Sequence, residues 1–273
     1  LYQSALVMQL VALALFIGYA AAPRRSLSSA ATAALGLSLG LLGFFALLYS
    51  LRVGRLPLAS GFEFVLVWSI ALTALVVWVE WRHKLGLLGA FLVPLSALTL
   101  LMGFRFGRDD ASATLGLPPG WLLLHVLLVV AAFACFTAAA GLAGAYLVQA
   151  RQLKRKTLGI LSEQLPALGE LEALTTRLGA AGLTLLAASL VAGFVWKWRW
   201  FGQFGLDDPK VRFALCVLLA WSGLLLLRRQ GALQGRRLAW AILFVFLAIF
   251  VGYYLVNLYF GGHGFLQAAL NGA

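Results

Sequence analysis

Residues 120–156 read GWLLLHVLLVVAAFACFTAAAGLAGAYLVQARQLKRK. From Gly120 to Ala150 this stretch carries no acidic residue, Lys or Arg, and a basic cluster follows at Arg151. A membrane-spanning helix needs about 20 mostly apolar residues. The stretch therefore predicts a transmembrane helix whose basic end meets the lipid headgroups.

The composition of the whole chain agrees with this interpretation. The 273 residues are 63% hydrophobic and only 11% charged, whereas a soluble domain carries about 25% charged residues. We therefore expect a single transmembrane helical domain over residues 1–273. The net charge of +12 is that of a protein anchored against anionic lipid, so the bilayer is the expected partner and nucleic acid is not.

The same length criterion finds eight spans and so predicts an all-α polytopic fold. Their ranges are 4–22, 30–50, 61–81, 86–103, 121–148, 178–196, 211–227 and 237–259. Lys and Arg are more frequent in the odd-numbered loops, above all at 151–156 and 228–237. The positive-inside rule then makes these loops cytoplasmic and places both termini outside.

The chain has only three histidines, and two of them fall on the predicted outer side. His125 lies one turn inside the fifth span, His263 follows the eighth span, and His83 lies in a basic loop on the opposite side. Histidine is rare within membranes and is a good ligand for haem iron. His125 and His263 therefore suggest a bis-histidine haem site, whereas His83 suggests a solvated interfacial role.

An aromatic outer loop is expected at 197–210, next to the sixth span. The aromatic residues at its start are Trp196, Trp198, Trp200, Phe201 and Phe204. An interfacial aromatic belt is the simplest interpretation. Their density, and their alternation with Lys197 and Arg199, also suit a flat dianionic macrocycle. Trp121, one turn before His125, would pack against the same ring, and Asp208 is expected to cap the seventh span ahead of Pro209.

Charged residues near the outer side are candidates for contact with haem propionates. They are Arg52, Arg55 and Arg105, with Arg108, Lys197 and Arg199 as further candidates. Glu63 begins the third span, where it would either bond a histidine or an arginine or favour the helix N-terminus through the dipole. Glu80, at the other end of that span, is expected to form an exposed pair with Arg82.

The longest connection, 149–177, is predicted to lie in the cytoplasm. Its first half is basic. Its second half has leucines three or four residues apart, which predicts an amphipathic helix that begins near Pro166 and lies at the membrane surface.

Several of these segments resemble the cytochrome c assembly membrane proteins, and most closely their HemX-like branch. The resemblance covers about residues 55–265. It rests on the segment at 57–81, the 120–156 stretch, LPALGELEALTTRLGAAGLTLL at 165–186, Asp-Pro-Lys at 208–210, and Asn257 followed by His263.

The resemblance implies non-covalent haem b in a bacterial inner (cytoplasmic) membrane. It makes His125 and His263 the axial ligands and the segment from Trp196 to Asp208 the cradle. Glu63 matches a glutamate that recurs at the start of the third span. A cytochrome c maturation protein or a tetrapyrrole-synthesis protein is then the expected partner.

The chain departs from the signature WGxYWxWDPKE of the haem-attaching members. Aligned on Asp-Pro-Lys, it has Phe201, Gly205 and Asp207 in place of three tryptophans, and Val211 in place of the glutamate. Three functions follow as hypotheses: a haem-binding protein that holds or translocates haem, a haem lyase subunit, or a scaffold that regulates a tetrapyrrole-synthesis enzyme. The departures favour the first over the second.

Overall fold

A computed structural model describes residues 1–58, 60–83, 86–104, 119–156, 165–202 and 206–259. Within these ranges every regular element is a helix, and there is no β-strand. The predicted all-α fold is confirmed.

Eight helices are described. They are α1 (Tyr2–Ala21), α2 (Arg25–Val53), α3 (Gly61–His83), α4 (Gly86–Gly103), α5 (Pro119–Lys154), α6 (Leu168–Phe201), α7 (Pro209–Arg229) and α8 (Gly235–Tyr259). Seven of them are long and apolar enough to cross a membrane, and α4 is a shorter apolar helix with Pro94 inside it. A membrane protein is thus confirmed, while eight spans and outer termini stay predictions.

Helices that follow one another in the chain run antiparallel, so the bundle has two chemically different ends. The start of α1 meets the end of α4, where the Tyr2 hydroxyl donates to the Leu100 carbonyl at 2.7 Å. His125 near the start of α5 meets Ser189 near the end of α6. We call this the His125 end. The basic end is the opposite one, where α5 and α7 finish in Arg and Lys.

Two long helices extend beyond the predicted spans. The leucine-rich residues 168–177 form the first turns of α6 and are continuous with its apolar part, so they are not a separate surface helix. At its other end α6 runs to Phe201, five residues into the segment 197–210 that was expected to be a loop. The tryptophans of this segment therefore lie on a helix.

The contact between α5 and α6 is the most extensive in the described structure. Small residues allow it, because Gly182 lies directly against the ring of Phe136 and the carbonyl of Ala132. Phe136 in turn stacks on Trp221 of α7 with ring centroids 4.5 Å apart. Small residues at such contacts let helix backbones approach closely in a membrane.

Hydrogen bonds join α1, α3 and α4 inside the apolar layer. Thr73 of α3 accepts from the Gln9 amide at 2.8 Å and bonds Ser96 at 2.9 Å. Ser69 and Thr99 form a second link at 2.8 Å. All five of these residues are fully buried, so each bond satisfies a group that lipid would leave unpaired.

The predicted exposure of Glu80 is wrong, and the side chain of Arg82 lies outside the described part of the structure. The side chain of Glu80 is only 4% exposed. The helix geometry explains this, because Ser69, Thr73 and Glu80 share the buried face of α3. An exposed Glu80 would have to lie on the opposite face of the helix.

We expect Gly182→Ala to destabilise the bundle. An added Cβ would lie 2.6 Å from the Phe136 ring and 3.1 Å from the Ala132 carbonyl oxygen, and overpacking of this kind costs about 1–3 kcal/mol. Gly223→Ala on α7 is the control, because nothing lies within 4 Å of its added Cβ. Thermal unfolding in detergent should show a lower midpoint for Gly182→Ala only. Equal midpoints would contradict the close approach of α5 and α6.

Candidate functional site

His125 is held between α5 and α6 by the backbone of Ser189. Its Nδ1 lies 2.9 Å from the Ser189 carbonyl oxygen and 3.2 Å from the Ser189 hydroxyl. A carbonyl oxygen only accepts, so Nδ1 carries the proton in this contact and the lone pair belongs to Nε2. The imidazole is half-buried. Its tautomer and orientation are therefore set by the neighbouring helix.

The face of α6 that meets His125 continues to a buried cation. Ser189, Gly193 and Lys197 follow one another at four-residue spacing and so share a face. Gly193 leaves room for the imidazole, since a Cβ there would lie 3.1 Å from His125 Cε1. Lys197 is only 7% exposed and interacts electrostatically with Asp208.

The aromatic residues of this end do not form one surface. Trp121 precedes His125 by one turn of α5 and is 39% exposed. Trp196 is half-buried, whereas Trp198 is 54% exposed. Residues two apart on a helix do not face each other, so Trp198 belongs to the outer surface of α6. The backbones of Trp200 and Phe201 continue α6, and Phe204 lies outside the described residues.

The turn between α6 and α7 has the predicted cap. The side chain of Asp208 accepts a hydrogen bond of 2.9 Å from the Lys210 amide, and Pro209 is the first residue of α7. Asp208 is 5% exposed. The expected N-cap is confirmed, and it fixes the carboxylate that interacts electrostatically with Lys197.

Glu63 fulfils two of the roles left open by the sequence. Its carboxylate accepts from the Arg55 guanidinium at 2.8 Å and from the Tyr49 hydroxyl at 3.0 Å. It also accepts from the Ser60 amide, while Ser60 Oγ accepts from the Glu63 amide, each at 3.2 Å. This reciprocal pair is a capping box. Glu63 thus caps the N-terminus of α3 and neutralises the charge of Arg55. Arg52, in the last turn of α2, is exposed.

The end of α8 reaches the same end of the bundle. Tyr253 packs against Phe133 of α5 with ring centroids 6.0 Å apart. Asn257 lies against Gly61 at the start of α3. A Cβ added to Gly61 would lie 2.9 Å from Asn257 Oδ1. The assumption that the fifth and eighth helices are neighbours is confirmed. His263 and Arg105 lie outside the described residues.

Three partners at this end were missed by the sequence analysis. Ser60 carries a readable signal, because Ser-x-x-Glu directly before an apolar run is the capping-box pattern. Ser189 and Gly193 carry only the small-residue spacing that is common in membrane helices. Their role becomes visible only when α5 lies beside them.

Comparison with known proteins gives one family. Residues 57–263 match the family "Cytochrome C assembly protein". The chain is 24% identical to the cytochrome c biogenesis protein CcsA of Prochlorococcus marinus subsp. pastoris, over 80% of this chain and 78% of that protein. It is 28% identical to CcsA of Synechococcus sp. strain RCC307, over 75% and 74%. It is also 26% identical to the protein HemX of Brevibacillus brevis, over 62% of each. No solved structure matches significantly.

Removing the charge of Glu63 should destabilise the His125 end. Glu63→Gln weakens three hydrogen bonds and leaves Arg55 beside a neutral group, and breaking a buried ion pair costs about 3–5 kcal/mol at most. Because Arg55 keeps 16% side-chain exposure, we expect a loss of about 1–3 kcal/mol. Arg52→Gln, which changes an exposed cation in the last turn of α2, should leave the thermal midpoint unchanged. Equal effects of the two variants would refute the role of the Glu63 cluster.

Proposed function

This chain belongs to the cytochrome c assembly protein family, and from that membership and the surroundings of His125 we propose that it binds haem b non-covalently at the His125 end. The observation that carries the proposal is the hydrogen bond from His125 Nδ1 to the Ser189 carbonyl. Histidines that bind metals usually donate their other ring N–H to a carbonyl or carboxylate. The Ser189 contact leaves Nε2 as the ligating nitrogen.

The groups around His125 fit haem chemically. Lys197 supplies a buried positive charge on the helix face that contacts the imidazole, and haem has two anionic propionates. Trp121 supplies a partly exposed ring one turn away, suited to pack on a macrocycle. Bound haem would supply a redox-active iron, and the residues named here would hold and orient it.

His263 is the proposed second ligand. The distances along α5 and α8 from the point where they touch support this assignment. Tyr253 of α8 contacts Phe133 of α5. From this contact, α5 rises about 12 Å to His125 and α8 about 9 Å to Tyr259, at 1.5 Å per residue. The four residues from Tyr259 to His263 add up to about 14 Å when extended. The chain is therefore long enough to bring His263 to the iron.

We further propose that the protein lies in a bacterial inner membrane with the His125 end outside. The clusters at 151–156 and 228–237 support this, because they place the densest positive charge at the opposite, basic end. In this orientation both termini are outside if α4 also spans. Haem held at the outer face would serve cytochrome c maturation or the regulation of tetrapyrrole synthesis.

The visible spectrum of the detergent-purified protein tests the haem site. The wild type, as isolated or after haemin titration, should give a six-coordinate low-spin Soret band. We expect His125→Ala and His263→Ala each to lose the band or convert it to a high-spin form. His83→Ala is the matched control, because His83 lies at the far end of α3, and its band should equal that of the wild type.

A band that survives both substitutions would refute the bis-histidine assignment. No stoichiometric band in the wild type would refute haem binding and favour a scaffold function. Loss in His125→Ala alone would keep haem but remove His263 as its ligand.

A substitution next to His125 gives a test that leaves both histidines in place. Gly193→Val adds side-chain atoms 3.1 Å or less from the imidazole and should turn the ring away from Ser189. Disturbing such a supporting contact typically lowers metal affinity about 10–100-fold. Gly40→Val on α2 is the control, since its added Cβ meets nothing within 4 Å. Haemin titrations should separate the two variants, and equal affinities would show that the Ser189 contact does not position the ligand.

A further inference from the structure

A groove opens between α5 and α8 at the basic end, far from His125. Its volume is about 680 Å³. Its upper part is lined by Arg151, Lys154, Arg155 and Arg236. Its lower part is lined by Gly144, Leu147, Val148, Trp240 and Leu243. Four cations therefore stand above an apolar wall in one continuous groove.

The four cations are not neutralised within the described structure. Arg228, nearby on α7, is paired with Glu172 at 3.3 Å, and that carboxylate also accepts from the Gly235 amide. No comparable ion pair with a described acid is found for the cations of the groove. Like charges at close range repel each other, so this arrangement favours an anion bound from outside.

The lower wall determines what kind of anion fits. Leu147 and Val148 lie one turn below Arg151 on α5, and Trp240 lies one turn below Arg236 on α8, facing the same space. Trp240 is 49% exposed. Val148, on the same wall, is 37% exposed, so the apolar wall lies open at the surface of α5 and α8. A small soluble anion would leave it uncovered, whereas an acyl chain would cover it.

We propose that the groove binds an anionic phospholipid. The phosphate is held by Arg151, Arg155 and Arg236, and an acyl chain lies along Leu147, Trp240 and Leu243. Arginine suits this role because its guanidinium binds phosphate oxygens in a bidentate manner. Basic pockets between transmembrane helices bind the phosphate-containing headgroups of anionic lipids. With four cations available, a lipid with two phosphates should bind more tightly than one with a single phosphate.

Native mass spectrometry of the full-length protein measures the binding of added lipid. The probes are tetraoleoyl cardiolipin, dioleoyl phosphatidylglycerol and dioleoyl phosphatidylcholine. We expect cardiolipin, with two anionic phosphates, to be retained most strongly and phosphatidylglycerol, with one, less strongly. Phosphatidylcholine should be retained least, because its choline group neutralises the phosphate. Arg151→Gln/Arg155→Gln/Arg236→Gln should lower cardiolipin retention at least about tenfold, an effect of about 1.4 kcal/mol.

Matched controls separate a built site from general surface charge. Lys156→Gln/Arg229→Gln/Arg237→Gln removes the same charge from exposed residues of the same end that do not line the groove. It should retain lipid like the wild type. On the apolar wall, Trp240→Ser should weaken retention, while Leu219→Ser, on α7 outside the groove and 70% exposed, should not.

Several outcomes would overturn the proposal. Equal losses in the two triple variants would show non-specific attraction to the surface. Displacement of cardiolipin by millimolar inorganic phosphate would show a plain anion site, and preferential displacement by haemin would assign the groove to a tetrapyrrole. Since His125 is untouched in all these variants, the Soret band reports separately on the haem site, and either proposal can fail alone.

Discussion

The close approach of α5 and α6 is the constraint on which the candidate site depends. Lipid tails are as apolar as leucine, so helices in a bilayer associate through tight packing and interhelical hydrogen bonds rather than through the hydrophobic effect. Buried alanines along α5, such as Ala132 and Ala139, and Gly182 on α6 allow this packing. The same approach brings the His125 imidazole within 2.9 Å of the Ser189 carbonyl. The packing around Gly182 thus determines which helix contacts His125 and which ring nitrogen of His125 carries the proton.

The buried contacts between helices are of two kinds, hydrogen bonds and packed rings. Helices α1, α3 and α4 are joined by the amide and hydroxyl groups around Thr73. Helices α5 to α8 are joined mainly by rings, with Trp221 stacked on Phe136 and Tyr253 packed on Phe133. Hydrogen-bonded contacts demand one arrangement, because any shift leaves a polar group unpaired in an apolar medium. Each half also uses the other kind of contact, since the rings of Tyr2, Phe45 and Phe62 pack together and His125 bonds Ser189.

The sequence predicted the helices well because each is a long apolar run, and a bilayer requires every backbone group within such a run to be paired internally. It also predicted the position of His125 and the cap at Asp208. It did not predict that α6 would continue through Trp198, since alternating aromatic and basic residues suit both a loop and a helix end. Nor did it predict the burial of Glu80 or the contact with Ser189. Both depend on which helix lies alongside, and a single sequence carries no direct signal for that.

The length of α5 is sufficient to carry His125 and Arg151 to the two surfaces of a bilayer. Arg151 follows His125 by 26 positions on one continuous helix, which corresponds to about 39 Å. The hydrocarbon layer is about 30 Å thick, so with Arg151 among the headgroups of one leaflet, His125 reaches those of the other. Even a tilt of about 40° leaves about 30 Å along the membrane normal. A bilayer crossed by α5 would therefore separate His125 from the basic groove, which suits the proposed haem site open to one compartment and the proposed lipid site in the other leaflet.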